Sequence, residues 1–594
     1  MKKLFLLAFL SITSLSFSQN DYLLGESYYN EEAYEKALQV FKKLHSKSPF
    51  NTAYLRRLIS CYQETSQFSE VEKLLLTKLK KNPKYGFLYV YLGYNYERQQ
   101  LKDLAEKKYA LAIKSIEKTG AYAAIIGRTF KEYNLLDKAV LAYEKGMSKN
   151  ENANYNFQIA EIYGEKGAFK KMFGAYVDLI DKKEEYFNLV QQYASKYITE
   201  DSENEANVIF KKTLLIKSSS RPKKVWNSLL SWLFTIQKEY GKALIQEKAL
   251  YRRNSRSLNP IFTLGKIAFE NNNYTASKEC FDFITQTSSL NGEKINAYLY
   301  IAKIAVATNN SKTETLFQSL FDEFGKKART IRLQVVYADF LTFSQNNPEK
   351  AKSVLENALL FSSSKFERAR IKLKLGDILV FTGKYNKALR YFSQIQTQLK
   401  NHELAHLARF KVAQTSYFKG DFTWAKTQLK VLKNATSQLI ANDAVALFLT
   451  ITDNEPVDAI PSGLAQYSKA TLLAFQNKTQ QAIDTLSSIS LHYKGQPIED
   501  EALFKQAKLL IKLGKFEAAI ASLKNVISLN PEGILVDDSY YELAELYNNY
   551  IKNPEKATEY YQKIIFEHAA SIYWIAARKK YRKIRENPFL TSKE

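Results

Sequence analysis

Residues 25–49 read GESYYNEEAYEKALQVFKKLHSKSP, and residues 59–83, which begin 34 positions later, read ISCYQETSQFSEVEKLLLTKLKKNP. The same spacing of 34 continues to residue 143 and aligns four columns of residues. These are a mostly small column (Gly25, Ile59, Gly93, Gly127), an aromatic column (Tyr28, Tyr62, Tyr96, Phe130), a mostly alanine column (Ala37, Val71, Ala105, Ala139) and a bulky column (Phe41, Leu75, Tyr109, Tyr143). An internal period of this length is typical of helical repeat arrays.

The order of the columns indicates two antiparallel helices in each repeat. Small residues such as Gly25 and Ala37 allow the two helices to approach closely. Pro49 and Pro83 cannot continue a helix and so end the second helix of their repeats. Because one helix pair cannot bury its apolar face alone, successive pairs stack. The predicted fold class is all-α: a superhelical α-solenoid of stacked antiparallel helix pairs.

These columns resemble the tetratricopeptide repeat family, in which a small residue is followed by an aromatic residue, an alanine, a bulky residue and a closing proline. The register drifts after residue 150, blurs between Glu184 and Arg256, and returns further along the chain. The later repeats are marked by small, alanine-type and bulky positions at the same relative spacing: Gly265, Ser277, Phe281; Gly376, Ala388, Phe392; Ala413, Ala425, Leu429; Ala470, Ala482, Leu486; and Ala507, Ala519, Leu523.

The last repeat, Lys556–Arg585, is similar to the closing repeats of two periplasmic families, the TolA-binding protein and the helical lipoprotein of the β-barrel assembly machine. The matching positions are Ala557, Tyr560, Tyr561, Ile564, Ile565, Ser571, Ala576 and Arg578. His568 and Ala569 stand where those families carry Tyr-Pro. The repeat style also resembles exported tetratricopeptide proteins of Bacteroidota.

The N-terminus predicts a secretory signal peptide. Lys2 and Lys3 precede an apolar run from Leu4 to Leu10, and Ser16 and Ser18 fit a cleavage before Gln19. The apolar run is too short to span a bilayer, so a membrane anchor is disfavoured, and no transmembrane span is expected after the signal is removed. We therefore predict a periplasmic or cell-envelope location.

The repeat pattern and the signal divide the chain into six parts. The predicted ranges are a signal peptide (1–18), an N-terminal tetratricopeptide array (19–183), divergent helical repeats (184–256), a central array (257–452), a loop (453–463) and a C-terminal array with a capping helix (464–594). An extra helix is expected near residues 441–452.

Charge and cysteine content restrict the partners. The chain has a formal net charge of +25, and its two cysteines, Cys61 and Cys280, cannot form a disulfide framework. For an exported chain this charge favours acidic envelope surfaces or acidic proteins over nucleic acid, although a generally basic solubilising surface is the simpler interpretation. The basic run from Arg578 to Arg585 on the capping helix has the same two interpretations.

One motif has a possible enzymatic meaning. His402-Glu403-Leu404-Ala405-His406 matches H-E-x-x-H, in which two histidines on one helix face bind zinc and the glutamate activates water. The segment falls at a junction between repeats, where a new helix starts, so His402 is expected in the connecting turn, off the helix face of His406. A repeat-joining helix is the favoured interpretation; a zinc metallopeptidase is the alternative from another class.

The tetratricopeptide resemblance implies binding in a groove lined by the first helix of each repeat. In the carboxylate-clamp subtype of this family, Lys and Asn residues line the groove. This chain does not carry Lys and Asn at the corresponding positions. Candidate groove residues in the C-terminal half are Phe410, Phe504, Lys508 and Tyr541. They suit an extended or apolar peptide, with helix-to-helix packing as the alternative interpretation.

We therefore predict a non-catalytic scaffold that needs no cofactor and binds other envelope proteins. An accessory role in outer-membrane assembly, secretion or gliding is the alternative within the same class. The columns that define the repeat in this prediction are represented by Gly25, Tyr28, Ala37, Phe41, Gly93, Tyr96, Gly127, Gly376, Ala388, Phe392, Ala507 and Ala519.

Overall fold

The structure is a computed structural model, and it describes residues 21–120, 122–253, 257–432, 438–456 and 462–585, except the side chains of residues 118, 119, 438 and 439. These residues form helices and turns, and no β-strand occurs among them. The all-α solenoid prediction is thus confirmed. The predicted signal peptide lies outside the described residues, and so do residues 457–461 of the predicted loop.

The chain forms two compact units. Of the described residues, the first unit contains those up to 199 and 203–229, and the second contains 200–202 and those from 230 onward. The helices of the first unit are α1 (residues 21–30), α2 (Tyr34–Lys47), α3 (Thr52–Glu64), α4 (Phe68–Lys81), α5 (Phe87–Arg98), α6 (Lys102–Thr119), α7 (Ala123–Glu132), α8 (Leu136–Lys149), α9 (Asn156–Glu165), α10 (Phe169–Lys182), α11 (Phe187–Ala194) and α12 (Glu205–Ser220), with a 3₁₀ turn at Glu184–Tyr186.

The division between the units falls inside α13 (Lys224–Ile236). The remaining helices are α14 (Tyr240–Arg253), α15 (Asn259–Glu270), α16 (Tyr274–Thr287), α17 (Asn291–Ala307), α18 (Thr313–Phe324), α19 (Ile331–Phe343), α20 (Pro348–Phe361), α21 (Lys365–Phe381), α22 (Tyr385–Gln398), α23 (Glu403–Phe418), α24 (Phe422–Leu432), α25 (Gln438–Thr452), α26 (Leu464–Phe475), α27 (Thr479–His492), α28 (Ile498–Lys512), α29 (Phe516–Leu529), α30 (Val536–Leu546), α31 (Pro554–Glu567) and α32 (Trp574–Arg585). A 3₁₀ turn precedes α19 at Ala328–Thr330, and a π-helical turn follows α30 at Tyr547–Ile551.

Within each unit the helices contact mainly the helices one or two places along the chain, which is the contact pattern of a solenoid. The predicted extra helix is α25, which packs against α24 and α23. No helix in the described part of the chain has the length and apolar character needed to cross a membrane.

The turn inside each helix pair has a fixed geometry. The seventh residue after the small-column residue adopts the left-handed backbone conformation. The backbone N–H of the residue that follows it donates a hydrogen bond to a carbonyl in the last turn of the first helix. In the first pair Glu32 has φ 60° and the Ala33 N–H donates to the Tyr28 carbonyl at 2.8 Å. This is a Schellman-type helix end, which satisfies a carbonyl that the helix leaves free. The left-handed residues at this position are Glu32, Ser66, Gln100, Asn134, Gly167, Lys238, Asn272, Asn309, Gly383, Gly420, Asn477 and Gly514.

Two pairs carry one additional residue in this turn. In the pair α19–α20 the left-handed residue is Asn346, and the Asn347 N–H donates to the Leu341 carbonyl at 2.7 Å. In the pair α30–α31 the Asn553 N–H donates to the Tyr547 carbonyl at 2.9 Å across the π-helical turn. Each bond spans six residues instead of five, so the extra residue is absorbed in the turn and the two helices keep their packing.

Candidate functional site

The small and bulky columns meet inside each helix pair. A Cβ added to Gly93 would lie 2.4 Å from the Tyr109 ring, and one added to Gly376 would lie 2.3 Å from the Phe392 ring. The Phe41 ring covers Gly25 in the same way, with a closest distance of 2.8 Å. The absence of a side chain therefore lets an aromatic ring from the second helix lie directly on the first helix.

The other predicted repeat positions are placed in the same packed layer. The bulky residue also reaches the next pair, since the Tyr109 and Phe130 ring centroids are 5.6 Å apart. Ala37, Ala388 and Ala519 of the alanine column are fully buried, and so is Ala507 of the small column. Tyr96 is buried and donates a hydrogen bond from its hydroxyl to Glu72 at 2.5 Å, whereas Tyr28 is only half-buried.

The first helices of the pairs form a surface that we call the inner face. In the first unit, Arg56 on α3 and Glu132 on α7 form an ion pair at 3.3 Å, although α5 lies between these two helices in the stack. Beneath it, the Tyr94 ring stacks on the Tyr133 ring with centroids 4.0 Å apart. A contact that passes over an intervening helix requires the stack to curve toward this side, so the inner face is concave here.

In the second unit, four first helices meet at their C-terminal ends. Phe343 of α19 lies 5.4 Å from Phe381 of α21 and 5.3 Å from Phe475 of α26, and Phe475 lies 5.8 Å from Phe418 of α23 (ring centroids). The Asn477 side chain donates to the Phe343 carbonyl, and the Gln476 side chain donates to the Phe381 carbonyl at 3.1 Å. We call these four rings the phenylalanine cluster; it fixes the curvature of this part of the stack.

A ladder of charges crosses the inner face next to this cluster. Lys374 contacts Asp339 at 2.6 Å and Asp377 at 3.3 Å, and Asp377 contacts Lys411 at 3.1 Å. Burial raises the pKa of Asp377, but the positive charges of Lys411 and Lys374 outweigh it and hold the pKa below its usual value. The ladder therefore connects α19, α21 and α23 through ion pairs.

The predicted groove residues are mostly engaged in packing. Phe410 and Phe504 are half-buried against the core of the C-terminal repeats. Lys508 forms an ion pair with Glu542 on the next first helix, α30, at 2.6 Å. Tyr541 stacks on Tyr573 with ring centroids 4.3 Å apart, and burial raises the pKa of Tyr541 to about 12. The structure thus uses Lys508 and Tyr541 to join neighbouring pairs.

The H-E-x-x-H segment forms a helix start. His402 is the N-cap of α23, and its Nδ1 accepts a hydrogen bond from the Leu404 N–H at 3.1 Å. The His402 ring packs on Phe366 with ring centroids 4.7 Å apart, while His406 lies within the helix. Among the described residues no group of three or more His, Cys, Asp or Glu side chains is placed to hold a metal ion. His402 therefore has a structural role at the junction between repeats.

The basic capping helix is partly paired within the second unit. Arg582 and Arg578 approach Asp201 at 3.2 and 3.8 Å, and Lys580 contacts Glu545 at 2.5 Å. The Arg578 guanidinium also lies 5.1 Å from the centroid of the Trp574 ring. Much of the charge that the sequence places on α32 thus holds this helix in place.

The two cysteines are buried thiols. Cys61 and Cys280 are fully buried on α3 and α16, and burial raises the pKa of each to about 12. A thiol with so high a pKa is not a nucleophile at neutral pH.

Three repeats were not predicted from the columns, because their spacing or residue types differ. In α13–α14, Ser231 and Ala243 keep the spacing of 12, but Glu247 occupies the bulky position. In α17–α18, buried Thr313 and Phe317 follow the small residue Ala302 one position earlier than in the regular repeats. In α19–α20, Ala351 and Leu355 follow the small residue Ala338 one position later than in the regular repeats. The left-handed turn residues of these repeats are Lys238, Asn309 and Asn346. Asn favours this backbone conformation, so it was a usable sequence signal in two of the three repeats.

Comparison with known proteins supports tetratricopeptide repeats in this chain. The family model described as "Tetratricopeptide repeat" matches residues 500–532, most of the pair α28–α29. No curated protein sequence matches the chain. Two similar solved structures are a Naa15/Naa10 complex bound to HypK-THB, with 13% identity, 97% of each chain covered and a TM-score of 0.28, and the APC/C hetero-tetramer Cut9–Hcn1, with 13% identity, 96% of each chain covered and a TM-score of 0.23. Likenesses with scores this low do not bear on the function of the chain.

Proposed function

We propose that this protein is a non-catalytic scaffold for protein–protein interaction. The observation that carries this proposal is the stack itself: small and bulky columns build helix pairs that contact mainly their neighbours. Such a chain has long helical surfaces relative to its core, and tetratricopeptide stacks of this kind typically bind proteins. The metallopeptidase alternative is not proposed, because His402 is used as a helix cap.

The free part of the inner face is the first surface to test for partner binding. In the first unit Ala124 and Arg128 of α7 are exposed, and no ion pair engages Arg128 within the described part of the chain. They lie on the first helix of a pair, where the sequence predicts groove-lining positions. Lys107 on α6, a second helix, is exposed as well and serves as the matched outer position.

The experiment places a photo-activated cross-linking amino acid at position 124, 128 or 107 of the full chain. We expect positions 124 and 128 to form an adduct with the same protein and position 107 to form none. Equal labelling at all three positions, or no adduct above that of the unmodified chain, would contradict binding at the inner face.

We also propose that the protein is exported to the cell envelope, as the layout of residues 1–18 suggests. An accessory role in outer-membrane assembly, secretion or gliding is consistent with this location and with the likeness of the last repeat to periplasmic families. N-terminal sequencing of the protein from fractionated cells tests the export: we expect the mature chain to begin at Gln19 in the envelope fraction. Full-length protein in the cytoplasm would refute the proposal.

A further inference from the structure

The second unit contains a cavity on the side opposite the inner face. It is bounded by the second helices α20 and α22 and has α21 as its floor. Its volume is about 410 Å³, within the range of ligand-binding clefts. The floor is apolar: Leu375 and Leu379 line it and are only 2% and 6% exposed. We call it the α20–α22 cavity.

The rim of the α20–α22 cavity is basic. Lys352, Lys384, Lys387 and Arg390 line it together with a single acidic residue, Glu356. Lys352 and Lys384 have only loose carboxylate partners, at 3.7 and 3.8 Å. Lys387 and Arg390 are exposed, and neither forms a salt bridge with any residue that the structure describes. The rim therefore has positive charge that the protein itself does not neutralise.

A cavity at the equivalent place earlier in the second unit has a balanced charge instead. Two pairs earlier, helices α16 and α18 enclose a cavity of about 640 Å³ above α17. Its lining has two basic residues, Lys278 and Lys312, and two acidic ones, Glu279 and Asp282. Lys278 and Asp282 form an ion pair at 2.6 Å. The geometry of the fold produces both cavities, but the lining charges balance in the earlier one, whereas the later one has four basic residues and one acidic residue.

We propose that the α20–α22 cavity binds an acidic segment of a partner protein, with an apolar side chain on Leu375 and Leu379 and flanking carboxylates on Lys387 and Arg390. The Arg390 guanidinium can bind a carboxylate through two parallel hydrogen bonds. This proposal rests on the scaffold function above and names the chemistry of one partner. It places the binding site on the outer side of the stack, away from the inner face.

Two features favour a peptide over a lipid surface. The apolar floor lies below the cationic rim, so a single side chain can reach it but a flat bilayer surface cannot. The cations are also spread over α20, the turn at Lys384 and α22, which matches carboxylates placed along a chain.

The test uses the full mature chain and a fluorescently labelled peptide of glutamates with a leucine at its centre. Fluorescence anisotropy is measured for the wild type, for the double variant Lys387→Glu/Arg390→Glu, and for the control Lys278→Glu/Lys312→Glu in the α16–α18 cavity. Both variants change the net charge equally, so the comparison separates the cavity from the overall charge. Circular dichroism verifies that each variant is folded.

We expect the Lys387→Glu/Arg390→Glu variant to weaken binding by about tenfold or more, and the control variant by about twofold or less. Binding should fall with added salt and fall again when glycine replaces the leucine of the peptide. Equal weakening by both variants would show a diffuse basic surface and overturn the proposal. Absence of peptide binding by the wild type would overturn it as well.

Two further outcomes are separated by design. In the first, phosphatidylglycerol vesicles sediment the wild type but not the Lys387→Glu/Arg390→Glu variant, without competition between the peptide and the vesicles. In that case the cavity region binds a membrane surface and the peptide proposal is wrong. If the wild type forms the cross-links at positions 124 and 128 but does not bind the peptide, the scaffold function stands and only the cavity proposal falls.

Discussion

Adding one methyl group at Gly127 should destabilise the first unit, although alanine is the better helix former. Gly127 lies in the middle of α7, and a Cβ built there would be 2.5 Å from the Tyr143 ring. An ordinary carbon–carbon contact is about 3.5–4.0 Å, so the ring must retreat by about 1 Å. Tyr143 is buried, and the Tyr155 ring of the next pair lies against it, with centroids 5.3 Å apart. The ring has little room to move.

The sign of the effect follows from two magnitudes. Replacing glycine by alanine inside a helix gains about 0.5–1 kcal/mol of stability. Overpacking a closed contact costs about 1–3 kcal/mol. The net expectation for Gly127→Ala is a loss of up to about 2.5 kcal/mol, with a central value of about 1 kcal/mol. Gly127→Leu, with more side-chain volume in the same contact, should lose more.

Gly174 provides the matched control. It also lies inside a helix of the first unit, α10, but a Cβ there would have no atom within 4 Å. Gly174→Ala should therefore stabilise the chain by about 0.5–1 kcal/mol. Hydrogen exchange with mass spectrometry, read helix by helix, measures both effects, and a local readout is needed because a solenoid does not unfold in one step.

We expect faster exchange in α7 and α8 for Gly127→Ala, slower exchange in α10 for Gly174→Ala, and no change beyond Gly376 in either variant. If Gly127→Ala slows exchange as Gly174→Ala does, the contact between the small and bulky columns is not close-packed. If exchange rises uniformly along the chain, the neighbour-to-neighbour account of the stack fails.

Three further predictions concern single polar groups. Burial, with a smaller effect from a nearby lysine, lowers the pKa of His45 to about 4. Because the unfolded chain takes up a proton near pH 6.5 and the folded chain does not, the stability of α2 should fall by roughly 3 kcal/mol from pH 6.5 to pH 4. Hydrogen exchange corrected for intrinsic rates measures this loss, and His45→Leu should abolish the pH dependence. His402→Ala should lower the stability of the chain by about 0.5–2 kcal/mol and speed hydrogen exchange in the first turn of α23, whereas His402→Asn should retain the cap. Neither variant should alter the metal content of the purified protein. One zinc ion per wild-type chain, lost on substitution, would contradict the structural role. Asp377→Ala removes the carboxylate between Lys374 and Lys411, so the variant should destabilise α21 and α23 by about 3 kcal/mol. Urea unfolding followed by hydrogen exchange measures this loss. An unchanged stability would mean that water screens the charges of the ladder fully.

Local spacing predicted much of the architecture. Columns at fixed positions identified most helix pairs, because the contact between Gly93 and Tyr109, or between Gly376 and Phe392, joins residues 16 positions apart in one pair. The helix start at His402 was likewise predictable, because a cap depends on the residues next to it. Repeats with an added or missing residue in the turn were missed, since a shift of one position removes the alignment although the helices pack as before.

Only the tertiary structure shows whether a predicted groove residue is free to bind a partner or contacts a neighbouring helix pair. Lys508 and Tyr541 occupy positions that suit a groove, yet they bind Glu542 and stack on Tyr573 of neighbouring pairs. The sequence cannot show this, because it does not give the rotation between one pair and the next.

By itself, the sequence determined that this chain is a stack of helix pairs, since each pair is held by contacts between residues a short and constant distance apart along the chain. The tertiary structure alone decided how the stack curves. Phe343 and Phe475 meet although 132 residues separate them in the sequence, and the cations of the α20–α22 cavity come together from α20, the turn at Lys384 and α22. The physical reason is that small rotations between successive pairs accumulate, and no local pattern of residues records their sum.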